Sequence, residues 1–331
     1  MIKKIFYNCT IFLLILFFFE FFARVLNLAP VLGTSKNLLN TSTIPYKNNS
    51  NIEGNSFGKN VFTDLNGYRI PRKNFSYKND KQNLFILGDS VSFASGVLEE
   101  ESFIGLLRNK NENINILNTS VVGYNIKSYQ QILSEISKKK LAQKVILFYC
   151  LNDIGVTINT IDKKSILHDQ VDKFSFVNRL KESTFFSYLN GFLRSKSVLY
   201  VFVKSVLSKP SERYFKHELA LYSNNMFLKE LEINIKSINE IKKKFNLDLS
   251  FVVLPFEYQT RKGNCQKYLN PQEKLINFLN SYNLKYFDYT SEFCLQDKPK
   301  ELYLKYDPVH LSKKGHRLVF KLLNRDFYLE N

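Results

Sequence analysis

The chain has 331 residues, 44% of them hydrophobic and 23% charged, with 12 Gly and 8 Pro. This composition excludes disordered, collagen-like and repeat architectures and allows one large α/β domain or two smaller ones. The formal net charge of +17 raises nucleic-acid binding, but the basic residues are scattered. Runs such as Lys138 to Lys140 close helix-like segments where cations complement the macrodipole, and no nucleic-acid motif accompanies them, so nucleic acid is not an expected partner.

The first element is apolar. Ile5 to Leu28 reads IFYNCTIFLLILFFFEFFARVLNL, 24 residues, long enough at about 1.5 Å per residue to cross a hydrocarbon core of about 30 Å. Glu20 and Arg24 interrupt it four residues apart, near the far end, in the favourable acid-before-base order. Lys3 and Lys4 precede the run, so the positive-inside rule favours a cytoplasmic N-terminus and an exported body. The apolar stretch is long and no A-x-A-like site follows it, which favours an uncleaved anchor over residues 1–28.

Residues 29–82 are rich in Asn, Ser, Thr and Gly and read as a linker and lead-in segment with a turn at Asn66-Gly67. From residue 83 to 331 the pattern changes to that of one domain. Apolar runs of strand length stand at Leu84 to Leu87, Ile114 to Leu117, Val145 to Tyr149, Leu249 to Leu254 and Leu284 to Phe287. Helical spacing separates them, at about Ser102 to Lys110, Ile126 to Lys139, Ser195 to Ser208, His217 to Phe245, Pro271 to Tyr282 and Lys313 to Leu329. Strands alternating with helices predict a parallel five-stranded sheet covered on both faces. An insertion at about 155–210 carries the aromatic runs FFSYLNGFL and VLYVFVKSVL, read as an extra packed helical layer rather than a lipid-binding surface. Of four cysteines, Cys9 lies in the span and Cys150 ends a buried strand, which leaves Cys265 and Cys294 as the pair able to form a disulfide in an oxidising compartment. Their spacing fits no metal site.

Ligands of an open parallel sheet bind beyond the carboxyl ends of its strands. The residues there are Gly88-Asp89-Ser90 after the first strand, Asn118 to Gly123 after the second, Cys150 to Asp153 after the third, and Asp307 to His310 before the last helix. A serine nucleophile needs a base, a carboxylate to orient that base, and donors for an oxyanion. Ser90, His310, Asp307, the backbone N–H of Gly123 and the amide of Asn152 supply those classes. Read singly, each is an ordinary turn or cap residue. His316 reads as structural, and His168 and His217 carry no assigned role.

FILGDSVSFASG, Gly123, LNDIG and DPVHLSKKGH resemble, in order, the four blocks of the SGNH (GDSL) hydrolase family, membrane-anchored bacterial type. The resemblance covers most of residues 84–330. It implies a three-layer α/β/α flavodoxin-like fold behind one N-terminal transmembrane helix, with no metal and no organic cofactor. It also implies Ser90 as nucleophile, His310 as general base and acid, Asp307 as orienting carboxylate, and Ser90 N–H, Gly123 N–H and Asn152 as the oxyanion hole. Cys150 departs from the pattern, standing where the third block has glycine. G-x-S-x-G is absent, since Val91-Ser92 follow Ser90. The implied activity is an extracytoplasmic esterase or O-acyltransferase acting on acyl groups, acetyl first, of a glycan. The alternatives are a lipase or lysophospholipase and a catalytically degenerate glycan-binding protein.

Overall fold

The computed structural model describes residues 2–139, 141–155 and 183–327. The sequence-expected insertion and His168 therefore lie in part outside the described residues. The five apolar runs form β6 (Gln82–Leu87), β7 (Ile114–Asn118), β8 (Lys144–Cys150), β9 (Asp248–Leu254) and β10 (Lys285–Asp288). They pair in parallel in the order β10-β9-β8-β6-β7. Numbered by their own sequence, this is 2-1-3-4-5, a flavodoxin-like order whose direction reverses at the first strand, β6.

The sheet does not stop at five strands. Three short antiparallel strands from the supposed linker, β5 (Arg69–Ile70), β4 (Lys59–Thr63) and β3 (Glu53–Ser56), continue it beyond β7 into an eight-stranded mixed sheet. A further two-stranded ribbon pairs β1 (Leu39–Asn40) with β2 (Lys47–Asn48). The expectation of a purely parallel sheet behind a free linker is thus corrected. Antiparallel strands of two to five residues at a sheet edge need no long apolar run, so hydrophobic periodicity does not register them.

The first helix, α1 (Ile2–Val25), is apolar and exposed except near its end, where Ala23 is buried and Glu20 partly so. Next come α2 (Phe103–Lys110), capped by Ser102, and α3 (Ile126–Lys138), capped by Asn125. After the undescribed stretch follow α4 (Thr184–Lys196), α5 (Val198–Ser208), α6 (Pro210–Tyr222) and α7 (Asn225–Phe245). The helix expected from His217 to Phe245 is broken, because the Asn224 side chain accepts the Met226 N–H at 2.9 Å and starts α7 afresh. The remainder are α8 (Glu257–Thr260), α9 (Asn270–Ser281), α10 (Thr290–Cys294) and α11 (Lys313–Asp326). Right-handed crossovers in this strand order send α2 to one face of the sheet and α3 and α7 to the other. The contacts agree, with α2 against α11 and α3 against α7. One continuous core, including Leu84–Leu87, Val145–Tyr149 and Phe251–Leu254, fills both interfaces.

α4 departs from the packed-layer reading: none of its residues is buried. Cys265 and Cys294 are bonded, their Cα atoms 6.1 Å apart.

Candidate active site

The chain reverses sharply after β6. A Cβ at Gly88 would overlap the Ser92 hydroxyl and come within 3.2 Å of Phe148 O, so glycine lets the turn close over β8. Asp89 then clamps the turn. Its Oδ1 accepts the Val91 N–H at 2.8 Å, and Phe93 N–H donates to Asp89 O at 2.8 Å. Ser90 is left beyond the carboxyl end of β6, beside the strand-order reversal where such sheets bind ligands.

The segment before α11 brings His310 and Asp307 to the Ser90 turn. Asp307 Oδ1 accepts the N–H groups of Val309 and His310 at 2.9 and 2.7 Å, a tight turn that brings the His310 ring back over its own carboxylate. His310 Nδ1 lies 2.9 Å from both Asp307 oxygens, and Nε2 lies 2.9 Å from Ser90 Oγ. Three residues that sequence spacing only made compatible are therefore joined in one hydrogen-bonded relay.

The electrostatics of the pair follow from this contact. Burial pulls the His310 pKa down, but the Asp307 charge and hydrogen bond, with Asp89 beyond, outweigh it and raise it above the ordinary histidine value. Burial pushes the Asp307 carboxyl up, yet the His310 charge and its hydrogen bonds hold it below the usual carboxylate range. Ser90 Oγ also lies 3.3 Å from Asp89 Oδ2. With His310 neutral, Nε2 can accept the serine proton. With His310 protonated, Nε2–H must donate, and the serine proton turns to Asp89.

The two residues expected as oxyanion donors, Gly123 and Asn152, are placed unevenly. Gly123 follows β7 at φ +85°, a left-handed backbone that favours glycine, and a Cβ there would lie 2.6 Å from the Tyr46 hydroxyl. Val121 N–H donates to Gly88 O at 3.2 Å, tying this loop to the Ser90 turn. Asn152 follows β8, but its Nδ2 donates to Asp89 Oδ2 at 3.1 Å and to Asp153 Oδ1 at 3.2 Å, while its buried Oδ1 has no hydrogen-bond partner among the described residues. The amide is engaged with two carboxylates rather than turned to Ser90.

Cys150 is buried at the end of β8, and burial, followed by the charges of Asp89 and Asp153, pushes its thiol pKa well up. It is a packed, protonated thiol, not a nucleophile. Asp89, Cys150 and Asp153 each offer an atom within 4.8 Å of the others. Val91 N–H and Asn152 occupy the Asp89 oxygens, Cys150 N–H and the Tyr129 hydroxyl occupy Asp153 Oδ2 at 2.8 Å, and burial with Asp89 raises the Asp153 carboxyl well above its usual range. The donor set is a hydrogen-bonded carboxyl pair and does not suit a metal.

Sequence reasoning missed residues from the lead-in segment. Phe57 packs against His310 with ring centroids 4.6 Å apart and the rings inclined at 65°. Tyr46 donates to Val122 O at 3.0 Å. Arg69, fully buried on β5, donates to the carbonyls of Phe93, Ala94 and Val97 in the loop after Ser90. The Asn66-Gly67 turn signalled the β4–β5 hairpin that carries Arg69, but nothing local signalled the target of any of the three. His316 is buried and accepts the Phe103 N–H at 3.3 Å. Burial, with Arg69 and His310 nearby, lowers its pKa to about 3, so it is a neutral structural histidine. A cavity of about 1070 Å³ lies between α5 and the Tyr303–Asp307 loop; Asp307 lines it, but neither Ser90 nor His310 does.

Among solved structures, the chain is similar to a lipolytic protein of the G-D-S-L family from Veillonella parvula, at 12% identity and TM-score 0.43 over 75% of this chain and 98% of that one. It is similar to the lipase/acylhydrolase from Enterococcus faecalis, at 12% identity and TM-score 0.42 over 74% and 94%. A third likeness is to the acetyl xylan esterase AlAXEase, at 13% identity and TM-score 0.40 over 74% and 99%. No family model and no curated protein matches the chain.

Proposed function

We propose that this chain is a serine esterase or O-acyltransferase of the SGNH type, anchored by α1 with its domain outside the cytoplasm, that takes small acyl groups, acetyl first, from or to a glycan. The observation that carries the reading is the relay Asp307–His310–Ser90, with 2.9 Å at both His310 contacts. Ser90 Oγ attacks the ester carbonyl while His310 Nε2 takes its proton, and Asp307 stabilises the imidazolium without itself being protonated. The tetrahedral intermediate collapses as His310 gives that proton to the leaving alcohol, and acyl-Ser90 remains. Water or a sugar hydroxyl, deprotonated by His310, then takes the acyl group and frees Ser90. Ser90 N–H and Gly123 N–H hold the oxyanion, and Asn152 joins them by releasing one of its two carboxylate contacts.

The acyl preference rests on the narrowness of the site: Ser90 is 8% exposed and Phe57 packs against His310. The Cys265–Cys294 disulfide supports an oxidising compartment. A long apolar groove at Ser90 would favour a lipase, but the large cavity behind Asp307 is not lined by Ser90. The relay geometry in turn speaks against a degenerate binding module.

The test is p-nitrophenyl acetate turnover by the full chain in detergent, wild type beside Ser90→Ala, with mass spectrometry for an acyl adduct and an oligosaccharide added as acceptor. Loss of turnover by at least about a thousandfold, with the adduct absent from the variant, is expected. Full activity of Ser90→Ala would remove Ser90 as nucleophile. An acetylated oligosaccharide would select transfer over hydrolysis.

A further inference from the structure

We propose that α4 and α5 form a second membrane contact, lying in the interfacial zone of the lipid bilayer beside the α1 span. This rests on α1 crossing the membrane.

The first observation is an apolar face without protein cover among the described residues. In α4, Phe185, Tyr188, Leu189 and Phe192 recur at helical spacing with Phe186 beside them, and all are exposed. On α5, Val203, Val206 and Leu207 are exposed as well, Leu207 at 79%. Large exposed apolar patches mark interaction sites. The aromatic content and the closing Arg194 and Lys196 match a helix lying at a lipid headgroup boundary.

The second observation fixes the depth. The Glu20 carboxylate, inside α1, accepts Ser197 Oγ–H at 2.8 Å and the N–H groups of Val198 and Leu199 at 3.0 Å. It therefore caps the N-terminus of α5. Arg24 pairs with Glu20 at 2.7 Å and donates to Lys196 O at the end of α4. Ala23, Ala29, Val198 and Val201 close the joint. Glu20 precedes the end of α1 at Val25 by five residues, roughly 7.5 Å of helix rise. The corner between α4 and α5 is thereby pinned at that distance below the end of the span, within the roughly 5–10 Å that interfacial helices occupy. The same contacts remove the difficulty of a carboxylate in an apolar span, because three donors and Arg24 satisfy it where no water does.

The chain contains no Trp, so single-Trp variants of the full chain report position directly. Phe192→Trp, Leu207→Trp, Phe12→Trp within α1 and Leu295→Trp on the body are reconstituted in phosphatidylcholine–phosphatidylglycerol vesicles containing lipids brominated either near the glycerol end or near the chain terminus. Phe192→Trp and Leu207→Trp are expected to lose about half of their emission or more, with the glycerol-end label the stronger quencher. Phe12→Trp is expected to be quenched most by the chain-terminus label, and Leu295→Trp by neither. All four should keep wild-type turnover of p-nitrophenyl acetate. Quenched Phe12→Trp beside unquenched Phe192→Trp and Leu207→Trp overturns the proposal while the span stands. A blue-shifted but unquenched Phe192→Trp overturns it in favour of a protein cover. An unquenched Phe12→Trp overturns the span itself and the proposal with it.

Discussion

Arg69→Met tests how the lead-in segment builds the site. The guanidinium is fully buried, donates to Phe93 O, to Ala94 O at 2.7 Å and to Val97 O at 2.8 Å, and stands 5.0 Å from the Phe93 ring centroid. Burial lowers its pKa to about 10, so it remains charged at neutral pH. Methionine fills a similar volume without donors and leaves the buried Phe93 and Val97 carbonyls without their donor, while Ala94 O keeps the Val97 N–H at 3.4 Å. At about 1–3 kcal/mol for each orphaned acceptor the gross cost is roughly 2–6 kcal/mol. Release of the buried cation's desolvation burden returns part of that, and a net loss of about 2–4 kcal/mol is expected. The carbonyls belong to the loop that follows Ser90, and Ser95 N–H in that loop donates to Ser90 O at 3.0 Å. Turnover well below the unfolding midpoint should therefore fall by about a hundredfold through misplacement of the nucleophile. Arg69→Lys keeps the charge but offers one compact donor group and should fall between the two. Urea unfolding and p-nitrophenyl acetate turnover of the full chain read both effects. A stability change under about 1 kcal/mol with full turnover would refute the role given to Arg69.

Turnover should rise with pH to a midpoint above the ordinary histidine value of about 6.5, because Asp307 and Asp89 outweigh burial and raise the folded pKa of His310. One unit below the midpoint about a tenth of the activity should remain, and Asp89→Asn should move the midpoint down; a midpoint at or below about 6.5 in the wild type would contradict this. Stability runs the other way. The contribution of His310 is complete below its unfolded pKa and lost as pH rises through the raised folded value, whereas that of Asp307 is present above its unfolded pKa and lost as pH falls through its lowered folded value. His310→Ala should thus cost more stability at pH about 5 than at pH about 9, measured by urea unfolding. Replacing Cys265 and Cys294 together by serine opens a cross-link of sequence separation 29 and should cost about 3–4 kcal/mol; a loss under about 1 kcal/mol would mean that the unfolded chain gains little freedom.

The parallel sheet was legible because strands buried on both faces must be continuous apolar runs, and Leu84–Leu87, Val145–Tyr149 and Phe251–Leu254 are. Ser90 and Asn152 were legible as positions because a parallel sheet delivers its strand ends to one edge, and Asp307 and His310 because they stand three apart just before the last helix. Their connection through Asp89 was not, since a carboxylate next to a serine says nothing of what it faces across the sheet. The edge strands were illegible for a different reason. Arg69 pairs with Asn118, and its three carbonyl acceptors lie 24 to 28 positions away, so its worth depends on a fold already made. The break before α7 was hidden because apolar spacing runs through Tyr222 and Phe227, while the cap at Asn224 interrupts only the backbone.

The end of α1 and the loop that carries Asp307 and His310 are in contact rather than joined by a free tether. Lys305 donates to Asn27 O at 2.6 Å just beyond α1, and Phe202 of α5 packs 5.9 Å from the Tyr306 ring. Leu304 N–H then bonds His310 O at 2.9 Å. Every step from the end of α1 to the base is thus a packed or hydrogen-bonded contact, and Glu20 fixes α5 at the start of the same path. A tether of about 50 flexible residues would let the domain search a wide shell for its substrate. A domain held against α1 cannot. If α1 spans the bilayer, the ester or acceptor must therefore come to the membrane surface, and the substrate proposed for Ser90 is the part of a glycan that lies close to the lipid.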